Sequence, residues 1–148
     1  MSRGAQSLTA TRAGGRRTRQ RRAIVEVITE AQRPLTSNEV LELASQRCPG
    51  IGIATVYRAL RSGVEEGWLS TVELPSQPDR FERAGKEHHH HFHCRVCGLV
   101  FELEPCELRV GGSAPAGFLV EEHEILLFGR CAACAQKRNP AKRVGSSS

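Results

Sequence analysis

The sequence of 148 residues contains no long run of apolar residues. No segment approaches the roughly 20 apolar residues that a helix needs to cross a bilayer, and the opening residues lack the apolar stretch of a secretory signal. We therefore expect a cytoplasmic protein with no membrane partner. In a reducing compartment the six cysteines would remain thiols or bind metal, so disulfides are the weaker interpretation.

Acidic residues are absent from residues 1–22, although this segment contains seven arginines. The whole chain carries a formal net charge of +5, so without these seven positive charges the remaining residues carry −2. A basic block of this kind is either a solvated tail or an arm that binds nucleic acid. We interpret residues 1–15 as a disordered basic arm. Residues 139–148 are polar without apolar periodicity, which predicts a disordered tail.

Three helices are predicted after the arm. Apolar residues at helical spacing indicate a first helix over residues 18–30, and Pro34 ends it. Thr36 and Glu39 have the spacing of a capping box, which predicts that a second helix begins there. A third helix, over residues 53–64, follows a Pro-Gly break.

The third helix has two contrasting faces. At about 100° per residue, Val56, Leu60 and Val64 fall on one side and should be buried. Arginine side chains on the other side could bind guanine edges or phosphates, and an ordinary solvated face is the alternative interpretation. Three short helices beside a basic arm favour DNA binding. The outward side carries Thr55, Tyr57, Arg58 and Arg61, together with Ala54.

A β-hairpin is predicted after the third helix. Residues 68–74 and 80–82 have the composition of strands, and a turn with two prolines separates them. Three helices and a hairpin predict a winged helix-turn-helix domain over residues 16–83. We expect its third helix to enter the major groove of DNA. Three arginines at the start of the domain, Arg16, Arg17 and Arg19, should reach phosphates or a narrow minor groove.

Residue types that bind metals are concentrated between His88 and Cys97, where five histidines and two cysteines occur. Cys94 and Cys97 form one Cys-x-x-Cys pair, and Cys131 and Cys134 form another. Four thiolates in two such pairs satisfy a tetrahedral Zn2+ completely, which predicts a closed, structural zinc site. The histidines are then available for an exchangeable divalent metal.

A strand over residues 88–93 would separate the histidines into two sets. Side chains alternate along a strand, so His89, His91 and His93 would face one way and His88 and His90 the other. One strand could therefore serve two separate ions.

Two further strands are predicted in the second half of the chain. They are residues 99–103 and a longer segment from residue 118 to residue 128. The longer segment has apolar residues on both faces, so we expect burial on both sides, with dimerisation covering the outer face.

Six motifs follow one another along the chain. They are Thr18-Arg-Gln-Arg21, Gly52-Ile-Ala-Thr-Val-Tyr-Arg58, Phe81-Glu82, His88 to His91, Cys94-x-x-Cys97-Gly98 and Cys131-x-x-Cys134. In this order they resemble the ferric uptake regulator family, which comprises dimeric, metal-responsive bacterial repressors. The resemblance covers about residues 16–138, and it implies a homodimer that binds a near-palindromic double-stranded DNA operator near metal-uptake genes and has no small-molecule substrate.

The resemblance also implies a fold and two further metal sites. The fold is α+β, with the winged helix followed by a hinge over residues 84–87 and a small α/β dimerisation domain over residues 88–138 that carries the four-cysteine zinc. A regulatory metal, Zn2+, Fe2+ or Mn2+ acting as corepressor, is implied at Glu82, His89, His91 and Glu102. An additional metal site is implied at His88, His90 and His123. Surface carboxylates are the alternative interpretation of Glu82 and Glu102.

The sequence departs from the family at the regulatory site. Pro34 stands where many relatives have a histidine ligand. His93 and Cys106 are candidate replacement ligands, and a buried thiol is the alternative for Cys106. Glu102 stands where peroxide-sensing relatives tend to carry aspartate, which argues against that subgroup. The histidine-rich set with a nearby cysteine favours zinc, with iron and manganese as alternatives.

Other classes of protein fit the sequence less well. A zinc hydrolase is disfavoured because no His-Glu-x-x-His motif occurs, and a thiol-disulfide enzyme because neither Cys-x-x-Cys pair opens a helix within a βαβ unit. A metal-storage or carrier protein would explain the histidines but not the outward face of the third helix. We therefore predict a regulator without enzymatic activity, and a peroxide-sensing member of the same family is the nearest alternative.

Overall fold

The computed structural model describes residues 9–103 and 114–137, which form both helices and strands. The chain divides into two compact units, Met1–Glu87 and His88–Ser148. Cys106 and the predicted disordered segments 1–8 and 139–148 lie outside the described residues. Within the described part of the chain, no helix has both the length and the apolar character needed to cross a bilayer.

The first unit contains three helices and a small antiparallel sheet. Its strands are ordered β1-β3-β2, so the predicted hairpin of β2 and β3 is present. A two-residue strand, β1, was not predicted because a segment so short has no periodicity of its own. The elements are α1 (Thr9–Glu30), β1 (Leu35–Thr36), α2 (Ser37–Arg47), α3 (Ile53–Glu65), β2 (Leu69–Val72) and β3 (Arg80–Arg83).

Helix α1 begins at Thr9, whereas the apolar pattern predicted a start at Thr18. Residues 9–15 are therefore helical, and the prediction of a disordered arm is wrong for them. No proline interrupts this segment, but it includes Gly14 and Gly15, which are poor helix formers, so the helix extends further than local propensity favours. The helix is also anchored to the loop after α2, because Arg16 and Gln20 each donate a hydrogen bond of 3.3 Å to the carbonyl oxygen of Gly50.

The apolar faces of the three helices meet in one core. Its largest fully buried side chains include Ile24, Leu35, Val40, Val56 and Leu60. On α3 the predicted inner face is confirmed except at its end, since Val64 remains 39% exposed. The core closes over neighbouring Gly63 instead, where a Cβ atom would lie 2.6 Å from Leu69 and 2.8 Å from Trp68.

A charged network connects α2 to the sheet of the first unit. The predicted capping box is present, because the Thr36 side chain accepts from the Glu39 backbone N–H and the Glu39 carboxylate accepts from the Thr36 backbone N–H. The same carboxylate contacts Arg33 at 2.8 Å and the buried Arg80 of β3 at 3.2 Å. Glu39 thereby holds together the loop after α1, the start of α2 and the strand that carries Glu82.

Replacing Glu39 with glutamine should lower the free energy of unfolding of the first unit by about 3 kcal/mol, because a partly buried ion-pair network loses its anion. Burial raises the pKa of Glu39, but the Thr36 backbone N–H and Arg33 more than offset it, so the pKa lies below its ordinary value. Because the pKa of Glu39 is lower in the folded state, its charge stabilises the fold fully at pH values above the unfolded-state pKa of about 4.3. This stabilisation is lost as the pH falls through the folded-state pKa.

Urea unfolding followed by the fluorescence of Trp68, the single tryptophan, would measure this effect. The difference between wild type and Glu39→Gln should be largest at neutral pH and shrink below about pH 4. Glu42→Gln, an exposed substitution on the same helix, is the control and should change stability by less than about 0.5 kcal/mol. A difference that is independent of pH would contradict the role of the Glu39 charge.

The second unit contains a mixed three-stranded sheet. Strand β4 is central, pairing antiparallel with β5 and parallel with β6. The strands predicted at residues 88–93 and 99–103 are confirmed with shifted starts. The elements are β4 (His90–Cys94), β5 (Val100–Leu103), β6 (Leu126–Gly129) and α4 (Ala132–Gln136).

The long strand predicted from residue 118 to residue 128 is only partly correct. Residues 118–125 have no regular structure, and Phe118 and Leu119 are 72% and 84% exposed. The expected burial on both sides depends on a second chain that covers the outer face, and in the single chain Leu127 and Phe128 of β6 are 48% and 43% exposed. Among the strands of residues 9–103 and 114–137, β6 pairs with β4 alone and lies at the edge of the sheet.

Candidate metal centres and nucleic-acid interface

The two cysteine pairs meet where β4 and β6 end. The parallel pairing places Cys94 opposite Gly129, immediately before the second pair. A tight turn after Cys94, with Gly98 at a φ of +72° and its N–H donating to the Cys94 carbonyl oxygen, returns Cys97 to the same place. All four Sγ atoms lie within 4.8 Å of one another, and the Cys97 and Cys131 sulfurs are 3.8 Å apart.

The geometry of this cluster fits zinc. A tetrahedral Zn2+ with Zn–S bonds of about 2.3 Å requires sulfurs about 3.8 Å apart, which is the observed Cys97–Cys131 distance. A disulfide would need about 2.05 Å, and all five described cysteines are free thiols. The disulfide interpretation therefore fails for the cysteines that the structure describes.

The charges within the cluster also indicate a cation site. Backbone N–H groups of Cys97 and Cys131 lower the pKa of the Cys94 thiol to about 6, and the Cys131 amide lies 3.3 Å from its sulfur. The neighbouring Cys131 thiol, together with burial, raises the pKa of Cys134 to about 12. The Cys94 thiolate is thus favoured while Cys134 resists ionisation, and a bound cation would allow both to be deprotonated.

Three imidazoles meet on one face of the second unit. The His88 and His123 Nε2 atoms are 3.1 Å apart, and the ring centroid of His90 lies 4.6 Å from that of His88 and 4.9 Å from that of His123. The Ile125 backbone N–H donates to His90 Nδ1. Burial, followed by the proximity of His88 and His123, lowers the pKa of His90 and favours the neutral imidazole that binds metals. The structure therefore brings together all three residues predicted for the additional site.

The alternate histidines form a second group. The rings of His89 and His91 are 5.0 Å apart, and His91 is buried. Glu102 of β5 pairs directly with His91, so their side chains share one face of the sheet. His93, a candidate extra ligand, packs its ring edge against Phe128 with 5.8 Å between centroids.

Glu82, the remaining predicted regulatory ligand, belongs to the first unit. It lies on β3, is only 4% exposed and has the Lys86 ammonium 3.4 Å from its carboxylate. Burial argues against the interpretation of Glu82 as an ordinary surface carboxylate, because buried carboxylates require charged or polar partners.

The outward face of α3 is exposed as predicted. Tyr57 is 55% exposed, and both Arg58 and Arg61 are exposed. The Arg58 guanidinium donates to the Thr55 hydroxyl at 3.2 Å. These side chains form a polar surface with one aromatic ring, which is suited to the edges of base pairs in a major groove.

The arginines of α1 line two different grooves. Arg17 shares an open groove of about 730 Å³ with Arg21 and with Arg58 of α3. Arg16 and Arg19 line a smaller groove of about 370 Å³ on the side of α2. Sequence reasoning did not single out Arg21, although its spacing of four residues from Arg17 places both on the same side of a helix.

Comparison with protein-family models matches residues 12–128 to the ferric uptake regulator family. A zinc uptake regulation protein of Mycobacterium tuberculosis is 33% identical over 125 residues, covering 82% of this chain and 96% of that protein. A ferric uptake regulation protein of Cupriavidus metallidurans is 33% identical over 112 residues, covering 73% of this chain and 78% of that protein. The solved Vibrio cholerae ferric uptake regulator is similar with a TM-score of 0.63 and 25% identity, covering 76% of this chain and 88% of that one. The chain belongs to the ferric uptake regulator family, whose members are metal-responsive transcription regulators and not enzymes.

Proposed function

We propose that this protein is a metal-dependent repressor that binds operator DNA and controls metal-uptake genes in the bacterial cytoplasm. The observation that carries the proposal is the combination of an exposed, arginine-bearing helix in one unit with clustered imidazoles and thiols in the other. The DNA partner is a near-palindromic duplex, because a symmetric dimer presents two identical reading helices.

Cys94, Cys97, Cys131 and Cys134 are the proposed ligands of a structural Zn2+. Their sulfur spacing supports this role, and so does their position at the junction of β4, β6 and α4. Four protein ligands leave no open coordination position, as is typical of structural zinc sites.

Glu82, His89, His91 and Glu102 are the proposed ligands of the regulatory metal, with His93 and Cys106 as candidate additions. Imidazoles and carboxylates suit Zn2+, Fe2+ and Mn2+, and the imidazole-rich set favours Zn2+. The positive charge of a bound divalent ion would attract these ligands to one point.

The proposed ligands are distributed over both units, because Glu82 lies in the first and the histidines lie in the second. Ligands distributed in this way would hold the two reading helices of a dimer at the spacing of operator half-sites. His88, His90 and His123 are the proposed ligands of the additional ion.

DNA contacts are proposed for the exposed face of α3 and the start of α1. Tyr57, Arg58 and Arg61, beside Thr55, would read base edges in the major groove. Arginines of α1 would bind phosphates or a narrow minor groove, and the groove shared by Arg17 and Arg58 supports a continuous basic surface. The proposed contacts on α1 are Arg16, Arg17 and Arg19.

Dimerisation is proposed through the second unit. Leu127 and Phe128 on the edge strand β6 are about half exposed, and Phe118 and Leu119 are more exposed still. Apolar side chains concentrated in this way are typical of surfaces that another chain covers. In a homodimer of this kind, the first unit of each protomer would face one half of the operator.

A DNA titration of zinc-loaded protein, with and without a chelator of exchangeable metal, tests the proposed function. Restoring a divalent metal should tighten binding to a near-palindromic operator by at least tenfold, because a regulatory ion stabilises the DNA-binding arrangement. Parallel titrations with Zn2+, Fe2+ and Mn2+ identify the corepressor. A duplex with scrambled half-sites is the control, and equal operator affinity with and without each metal would refute the proposal.

The same titrations separate the alternatives. A metal-storage or carrier protein would bind the metals but not the operator. The outward face of α3, which carries Thr55, Tyr57, Arg58 and Arg61 and is called the reading face below, would have no role in such a protein. A peroxide-sensing regulator would release the operator after peroxide treatment of the metal-loaded protein. We expect operator binding that survives such treatment, consistent with glutamate at position 102.

A further inference from the structure

The two arginines on the reading face of α3 have different partners. Arg58 is held by a neutral group, since its guanidinium donates to the Thr55 hydroxyl one turn earlier. Arg61 is held by a charged group, because its Nε donates to the Glu65 carboxylate at 2.9 Å, one turn later. The side chains of Arg61 and Glu65 are 83% and 63% exposed, so the pair lies at the surface.

Glu65 lies on the same outward stripe as the arginines. With about 100° per residue counted from Val56, Glu65 falls near 180°, between Arg61 near 140° and Arg58 near 200°. The reading face of α3 therefore carries one negative charge as well as two positive charges.

The adjacent glutamate has a different task. Glu66 contacts Arg21 of α1 at 2.5 Å and accepts from the Ser62 hydroxyl, so it connects two helices of the first unit. Glu65 contacts an arginine of its own helix, and that arginine is one of the proposed DNA contacts. Of these two neighbouring acids, Glu65 is the one whose carboxylate pairs with an arginine of the reading face.

We propose that Glu65 determines DNA specificity by holding Arg61 away from phosphates on duplexes that offer it no base edge; the inference rests on the proposed function. Any duplex attracts Arg61 through its phosphates, but contact requires Arg61 to leave Glu65. Glu65 then remains beside a negatively charged backbone. The ion pair uses Arg61 Nε, so the two terminal amino groups of the guanidinium can donate to O6 and N7 of a correctly placed guanine while Glu65 stays in contact. The cost of leaving Glu65 therefore falls on phosphate contacts and not on the guanine contact.

The substitution Glu65→Gln in the full-length, metal-loaded protein tests the inference. Losing the ion pair should raise affinity for a random duplex about twofold per reading helix, hence about fourfold for a dimer. Affinity for the operator should rise less, so the specificity ratio falls. Release of one arginine per chain should also steepen the slope of log affinity against log salt by about 0.9 per reading helix.

Glu42→Gln is the matched control, because it makes the same change in net charge at an exposed position of α2. A second comparison places Glu65→Gln in an Arg61→Ala background, where the substitution should leave the specificity ratio unchanged. An unchanged specificity ratio in Glu65→Gln overturns the inference, as does an equal effect with and without Arg61. Wild-type protein that binds no duplex would refute the proposed function itself, and the inference with it.

Discussion

Cys94→Ser should unfold or monomerise the second unit and release the proposed structural zinc ion of each chain. The expected loss is large, because structural zinc sites contribute on the order of 10 kcal/mol at neutral pH and a typical domain is stable by only about 5–15 kcal/mol. The second unit spans His88–Ser148, a length at which burial of apolar surface alone gives marginal stability. Cys131→Ser should have the same effect, since both sulfurs belong to one cluster.

Zinc content, size-exclusion chromatography and limited proteolysis of the purified variants measure this outcome. Cys48→Ser is the matched control: it makes the same chemical change at a half-buried thiol that lies in the first unit. It should retain zinc, dimer and protease resistance. A Cys94→Ser protein that stays a stable dimer would show that the four-cysteine zinc is dispensable.

His89→Ala combined with His91→Ala abolishes the tightening of operator binding by metal. These are the two imidazoles of the proposed regulatory site in the second unit, and their rings lie 5.0 Å apart. Moving a two-state population from mostly open to mostly closed requires about 5.5 kcal/mol of differential binding, so loss of two ligands removes the response. We expect the variant to bind the operator with the affinity of chelator-treated wild type.

Two comparisons distinguish this result from a folding defect. His89→Gln with His91→Gln retains more side-chain volume at the buried position and should give the same loss. His88→Ala with His90→Ala removes two histidines from the opposite face, and it should retain most of the metal response. Zinc that resists the chelator, at the level of wild type, verifies the four-cysteine site and the fold of each variant. A double alanine variant that still responds to metal disproves the assignment of the regulatory ligands.

The parts of the fold predicted correctly are those set by local chemistry. Thr36 and Glu39 form the expected capping box because both hydrogen bonds join groups three residues apart. The two cysteine pairs meet, and the alternate histidines separate into His88 with His90 and His89 with His91, because side chains alternate along a strand.

The errors occur where distant residues decide the outcome. Helix α1 starts at Thr9, before its apolar pattern begins at Thr18, and it is anchored to the distant Gly50 by a contact that contributes nothing to an apolar pattern. Strand β1 exists only because β3 pairs with it. Phe118 and Leu119 have the residue types of a buried strand, yet a single chain leaves them exposed. Their apolar character reflects surface that a second chain is proposed to cover, and sequence pattern does not distinguish that from a protomer core.

The parallel pairing of β4 with β6 has a consequence for biosynthesis. The first unit can fold as soon as it leaves the ribosome, since its strands and helices are complete by residue 87. The proposed zinc ligands, in contrast, are complete only when Cys134 has been translated, because β6 and the second cysteine pair come last. Newly made chains would therefore capture the proposed zinc after translation of nearly the whole sequence. Zinc starvation would yield molecules with a folded N-terminal half and an unfolded C-terminal half, which proteases would remove.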